Sequence, residues 1–272
     1  MPLDLHVIRA VLFDMDGVLY RGAQALPGVN DMLEFLEARQ IAYACITNNA
    51  TRTPEQFAAN VQAMRLNIPP DRIMTSAVAT NVYVRSVAPR GTTIYPIGMA
   101  GLIEPLFGDN YFVYAEKDPA YVVVGADFEV TYAKLRAACL AIRAGATFIG
   151  TNPDTTYPAE DGIVPGCGAL LAALEAATNQ KPFIIGKPET GMFIAALKLL
   201  EAQAPTTLMI GDRYDTDIVG AAHAGLRTAM VLTGVSTAAD VAQAAIQPDA
   251  IVADLPELLR MWQDTIDGDV HP

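Results

Sequence analysis

The chain has 272 residues, 52% of them hydrophobic and 18% charged, with a formal net charge of −12. That balance supplies a substantial core and argues against disorder, while the acidic surplus argues against a nucleic-acid partner, because phosphate backbones recruit basic surfaces. Charges, prolines and glycines interrupt every apolar stretch, so no membrane span is expected, and Met1 to Arg9 lacks the basic flank and apolar block of a secretory signal.

Strand-like runs alternate with amphipathic stretches, the pattern of βαβ units and a mostly parallel α/β sheet. Ala10–Phe13 reads as a buried strand that ends in Asp14-Met15-Asp16-Gly17. Pro27-Gly28 precedes a helix with Met32, Leu33, Phe35 and Leu36 on one side and Asp31, Glu34, Glu37 and Arg39 on the other. Ile41–Ile46 is the next strand and ends at Thr47-Asn48-Asn49; Thr53 is placed to cap a helix that begins at Pro54. Thr92–Ile97, Ala120–Gly125 and Thr147–Gly150 then read as strands, with helices over Tyr132–Arg143 and Gly168–Ala177. This middle block of about a hundred residues is long enough for its own core. The expected organisation is therefore a core in two parts, 1–78 and 183–272, with an inserted α/β domain over 79–182. In the second part, Thr207–Ile210 forms a strand that runs into Gly211-Asp212, and Thr228–Leu232 and Ala250–Val252 are further strands.

Parallel strands bring their carboxyl ends to one side of the sheet, which is where ligands bind in open α/β folds. The polar groups expected there are Asp14 and Asp16, Thr47 with Asn48 and Asn49, Lys187, and Asp212. Two crowded carboxylates repel, and a cation or a shared proton is the usual remedy, so Asp14 and Asp16 suggest a divalent metal, a nucleophile, or both. The same Asp-x-Asp-Gly turn opens EF-hand loops, but Val18, Leu19 and Tyr20 stand where a calcium loop needs oxygen ligands. A G-x-G-x-x-G loop is absent after the first strand, which weighs against a dinucleotide enzyme. Together the residues supply what phosphoryl transfer needs: a nucleophile, an acid/base, metal ligands and oxygen donors. The net charge does not oppose a small phosphorylated substrate, since a metal ion and one lysine can reverse the local potential.

The arrangement resembles the haloacid dehalogenase superfamily of aspartate-nucleophile phosphatases. Its first motif is seen in Val11-Leu12-Phe13-Asp14-Met15-Asp16-Gly17, its second in Cys45-Ile46-Thr47-Asn48-Asn49, its third in Ile185-Gly186-Lys187-Pro188, and its acidic fourth in Ile210-Gly211-Asp212-Arg213-Tyr214-Asp215-Thr216-Asp217-Ile218. The large insert, with Gly150-Thr151-Asn152-Pro153-Asp154 and Pro165-Gly166-Cys167-Gly168, is similar to the α/β cap of the NagD and nitrophenylphosphatase branch. The resemblance implies a doubly wound parallel-sheet core with an inserted cap, and a hydrolase acting on small phosphorylated metabolites. Aryl phosphates, nucleotides, sugar phosphates, phosphoglycolate and pyridoxal phosphate are the candidates.

By the same resemblance, Asp14 is the nucleophile and Asp16 the acid/base, with Mg²⁺ held by the side chains of Asp14 and Asp212 and the carbonyl of Asp16. Thr47, the Asn48 amide and Asn49 bind phosphate, and Lys187 offsets its charge. Asp217, ahead of an apolar helix, reads as an N-cap or as support behind the ligands. Asn152 to Pro158 reads as a substrate-facing loop, in which Tyr157 either stacks on a leaving group or packs half-buried. A histidine stands at that place in the similar pyridoxal-phosphate phosphatase, which puts pyridoxal phosphate in doubt.

Three rivals differ in class. A phospho-accepting receiver domain is about half as long and lacks an insert; a silent binding protein does not need every catalytic position filled; a phosphomutase carries its cap between the first and second motifs, where this chain is short. Cys45, Cys139 and Cys167 have no metal-finger spacing and read as small buried thiols of a reducing cytoplasm. Caps of this size often provide a dimer surface in similar proteins, which allows a homodimer through the cap while the sequence leaves the oligomeric state open.

Overall fold

The computed structural model describes residues 3–159 and 162–268, with side chains through Ile266. Contacts divide the chain into two compact units. One holds the chain up to Thr47, Phe57–Met74, and the chain from Phe193 onward; the other holds Asn48–Gln56 and Thr75–Met192. Both are α/β.

The first unit is built on a six-stranded sheet in the order Ala250–Val252, Arg227–Val231, Thr207–Gly211, Ala10–Asp14, Ala42–Thr47, Ile73–Thr75. The first five strands pair in parallel. Such strands are covered on both faces, so they are apolar throughout rather than alternating: all five residues of Ala10–Asp14 and of Thr207–Gly211 are buried. From Ala10–Asp14 the chain steps to one side for Ala42–Thr47 and later returns to the other for Thr207–Gly211. The strand order thus reverses at the first strand, placing Asp14 at a topological switch point. Phe13, Val11, Leu208 and Ile210 join Met32 and Leu36 in the core, along with Leu255, Leu258 and Trp262 of the helix Leu255–Gly268. The three- and four-residue spacing of those last positions is the apolar stripe of a core-facing helix, and Trp262 meets Phe35 with ring centroids 5.4 Å apart.

The second unit has a five-stranded sheet in the order Phe183–Ile184, Thr147–Gly150, Tyr121–Val124, Thr93–Ile97, Val113–Tyr114, parallel throughout. Val122, Val124, Ile97 and Phe148 pack with Ala138 and Ile142 of the helix Tyr132–Arg143, and with Leu171 and Leu174 of the helix Cys167–Thr178. Thr53 begins the helix Pro54–Ala63 as expected. Its hydroxyl accepts the Gln56 N–H at 3.3 Å, and its own N–H donates to Gln56 Oε1 at 3.0 Å, a reciprocal box that satisfies two otherwise orphaned donors.

One expectation fails in this unit. The segment read as a loop around Tyr157 is partly a strand: Thr156–Ala159 pairs antiparallel with Gly162–Pro165. Prolines at positions 153, 158 and 165 and Gly162 give the sequence a loop-like look. A two-stranded ribbon tolerates proline because the outward-facing N–H of each strand needs no ladder partner. Among the described residues, no helix is long and apolar enough to cross a membrane.

Candidate active site

In the first unit, the register sets the site. Phe13 lies opposite both Ile210 and Cys45, so Asp14 leaves the sheet beside Gly211 and opposite Ile46, and Asp212 follows directly. Asp14, Asp212 and Asp217 are all buried, and one carboxylate oxygen of each lies within 4.8 Å of the other two. Burial disfavours charge, and like charges this close disfavour it again. An oxygen-only set of this kind suits a hard cation such as Mg²⁺, which takes few carboxylates and completes its shell with water and phosphate.

Asp217 belongs to this group rather than to a helix cap. The turn Tyr214–Ile218 is wound wider than an α-helix before it continues as Val219–His223. The Asp217 carboxylate accepts the Arg213 N–H at 3.1 Å and the Thr216 hydroxyl at 3.3 Å. Asp212 is fixed from the next strand end. The Val235 N–H donates to Asp212 Oδ2 at 2.8 Å, and the Ser236 N–H donates to its carbonyl at 3.0 Å.

Glycines make the room for these carboxylates. A Cβ on Gly17, whose φ is +86°, would lie 2.6 Å from Asp212 Cγ and Oδ2. One on Gly234 would overlap the same carboxylate, and one on Gly211 would overlap the Asp217 side chain. The loop carrying Asp16 is closed by Gly17 N–H to Tyr20 O at 2.8 Å and Leu19 N–H to Met15 O at 2.9 Å. The Thr233 hydroxyl adds a bond to Gly17 O at 2.6 Å. The Asp16 side chain reaches solvent while its base is packed. That partial burial raises its pKa, against the Gly17 amide and the Arg21 and Arg213 charges, which lower it. A raised carboxyl keeps its proton to higher pH, as a leaving-group acid requires. Thr47, buried, ends the strand Ala42–Thr47.

The chain enters the second unit at the Thr47–Asn48 bond, and this unit holds the remaining candidates. Lys187 is 3% exposed. The Asn48 side chain engages its backbone twice: Oδ1 accepts the Lys187 N–H at 2.8 Å, and Nδ2 donates to the Lys187 carbonyl at 2.9 Å. Asn49 Oδ1 accepts the Thr51 N–H and hydroxyl at 3.0 and 2.7 Å, and Asn49 Nδ2 reaches the Tyr157 hydroxyl at 3.4 Å. Tyr157 is half-buried, with its ring edge-on to Phe128 at 5.0 Å.

Residues 11–111 match the family model for haloacid dehalogenase-like hydrolases, and residues 184–258 match the HAD-hydrolase-like model. The acid sugar phosphatase of Staphylococcus aureus is 38% identical over 251 residues, covering 92% of this chain and 96% of that protein. The chain belongs to the haloacid dehalogenase-like hydrolases. It is a phosphatase of that family. Two solved structures extend the likeness of this hydrolase. A thermostable NPPase from Geobacillus stearothermophilus is 39% identical, with a TM-score of 0.85 over 91% of this chain and 96% of that one. The glycerol phosphate phosphatase of Mycobacterium tuberculosis, solved in complex with magnesium, is 32% identical, with a TM-score of 0.85 over 93% of this chain and 77% of that one.

Sequence reasoning missed two features of the hydrolase. Gly234 and Val235 follow the strand Arg227–Val231, so the strand-end argument applied once more would have found the loop that holds Asp212. The two-point hold of Asn48 on Lys187 spans 139 positions, and no local pattern announces it.

Proposed function

We propose that this phosphatase hydrolyses small phosphomonoesters with Mg²⁺, through an aspartyl-phosphate intermediate on Asp14. The observation that carries the reading is the buried group of Asp14, Asp212 and Asp217 at the switch point of the sheet. Asp14 and Asp212, with the carbonyl of Asp16, would hold the ion, and Asp217 stands close enough to join or steady them. Bound there, Mg²⁺ supplies charge neutralisation for the carboxylates and for the transferring phosphoryl group.

The chain's own residues do the rest. An oxygen of Asp14 attacks phosphorus, and the bond to the ester oxygen breaks as that oxygen takes the proton of Asp16. Asp16, now a carboxylate, removes a proton from water as the water attacks the aspartyl-phosphate. The phosphorus bond to Asp14 breaks, and inorganic phosphate and the free carboxylate are regenerated. The Thr47 hydroxyl, the Asn48 main-chain N–H and Asn49 would bind the phosphate, and Lys187 would balance its charge. Tyr157 is the residue that this reading assigns to the leaving group.

The substrate reading follows the relatives' names: sugar, glycerol and aryl phosphates. Such substrates share a phosphomonoester on a small polar or flat group. A phospho-accepting signalling role is not favoured, since the chain belongs to a hydrolase family and its relatives are named as phosphatases.

The test is hydrolysis of an aryl phosphate and of a panel of sugar and polyol phosphates, with Asp14→Asn beside the unaltered enzyme. Asp14→Asn should abolish turnover of every substrate while its circular dichroism stays unchanged. Turnover by that variant, or no hydrolysis of any phosphomonoester by the unaltered enzyme, would overturn the reading.

A further inference from the structure

We infer that Asn48 is a positioning residue, whose side-chain amide sets the path of the Lys187 backbone and thereby aims that lysine; the inference rests on the role proposed for Lys187 above. A primary amide offers an acceptor and a donor in one rigid plane, and Asn48 spends both on one residue. Oδ1 takes the Lys187 N–H at 2.8 Å, Nδ2 reaches the Lys187 carbonyl at 2.9 Å, and Nδ2 also lies 3.3 Å from Asp154 Oδ1. The arrangement copies the pairing between two strands, with a side chain standing in for one of them.

The surroundings hold the amide to that task. The Asn48 carbonyl accepts the Ser76 hydroxyl at 2.6 Å and Asn152 Nδ2 at 2.8 Å, which fixes the backbone from which the side chain projects. On the other side, Gly186 approaches so closely that a Cβ there would lie 2.6 Å from Asn48 Oδ1 and 2.5 Å from the Thr151 carbonyl. The Gly186 N–H donates to that carbonyl at 2.8 Å. The lysine's own backbone is therefore held by a residue that follows Thr47 directly in the chain. A long flexible side chain gains its precision from where its Cα is held, and small misplacements of a reacting group are costly.

The experiment is a double-mutant cycle on kcat for an aryl phosphate, with Asn48→Ala, Lys187→Ala and the two combined, together with hydrogen exchange of the residue-187 amide by NMR. Asn48→Ala should lower kcat about 100-fold, the scale of a 1 Å misplacement, and should speed exchange of the Lys187 N–H. In the Lys187→Ala background the same change should cost less than about 3-fold, because nothing is left to aim. Asn48→Asp keeps the volume but turns an oxygen toward the Lys187 carbonyl and Asp154, so it should lose activity comparably without leaving a cavity. Exchange at Val122 to Val124 in the unit's central strand should stay slow in all variants. Equal losses in both backgrounds, a Lys187 N–H still protected in Asn48→Ala, or full activity in Asn48→Asp would overturn the inference alone. Full activity in Lys187→Ala would overturn both it and the role on which it rests.

Discussion

Replacing Gly17 with alanine separates the backbone requirement of the acidic loop from its steric requirement. The new Cβ would stand 2.6 Å from Asp212 Cγ and Oδ2 and 3.1 Å from Oδ1, flat against the carboxylate. Restoring an ordinary 3.4 Å contact from 2.6 Å means displacing one group by about 0.8 Å. Asp212 cannot yield easily, since the Val235 N–H holds its Oδ2 and the carboxylate is 1% exposed. Magnesium demands near-ideal geometry with bonds of about 2.0–2.1 Å, so a shift approaching half a bond length should cost roughly 100-fold in kcat/KM and raise the Mg²⁺ concentration needed for half-maximal rate. The left-handed backbone itself adds about 1–2 kcal/mol of instability. Gly91 supplies the control, because its φ is also +86° but a Cβ there meets nothing within 4 Å. Gly91→Ala should show the loss of stability in thermal unfolding and keep the kcat of the parent. Should Gly17→Ala retain kcat/KM within about threefold across a Mg²⁺ titration, Asp212 is not the fixed ligand that this crowding implies.

Other outcomes follow from the same chemistry. Excess chelator should abolish hydrolysis and added Mg²⁺ should restore it; turnover unaffected by chelation would remove the metal from the reaction. Asp16→Asn should cost about 10²–10⁴-fold on an alkyl phosphate and much less on nitrophenyl phosphate, whose leaving oxygen needs little protonation; equal losses on both would move the acid role elsewhere. Burial raises the pKa of the Cys45 thiol, with Asp14 adding to it, and burial likewise raises that of Cys167. Both thiols are buried, so alkylation of the native protein should be confined to Cys139, with the other two reacting only after denaturation. Rapid native labelling of two or three thiols, counted by mass spectrometry, would contradict that.

The parts of this protein that could be read in its sequence are those governed by local rules. A buried parallel strand must be apolar along its whole length, so Val11-Leu12-Phe13 and Leu208-Met209-Ile210 announce themselves. The first polar residues after them mark the strand ends, which is how Asp14, Thr47 and Asp212 were found. Thr53 with Gln56 is a similarly local signal. Features set by distant partners stayed hidden. The ribbon at Thr156–Ala159 depends on a second strand and carries prolines that read as breakers. The wide turn at Tyr214–Ile218 owes its form to where Asp217 must sit, against Gly211 and the Arg213 N–H, and nothing in Asp-Thr-Asp-Ile distinguishes it from an ordinary helix start. Two of the four limits of the compact units fall inside the helices Pro54–Ala63 and Thr190–Leu199, where no break in composition marks them.

The strand that carries Asp14 has one neighbour close in sequence and one far away: Ala42–Thr47 is synthesised soon after it, Thr207–Gly211 only near the end. A growing polypeptide must therefore keep one flank of this buried strand bare, with its hydrogen-bonding groups unmatched, until the last quarter leaves the ribosome. Such an open edge invites wrong partners. Asp212 follows directly on that same late strand, so the buried group of Asp14, Asp212 and Asp217 cannot gather before the strand has docked, and a prematurely terminated product lacks it.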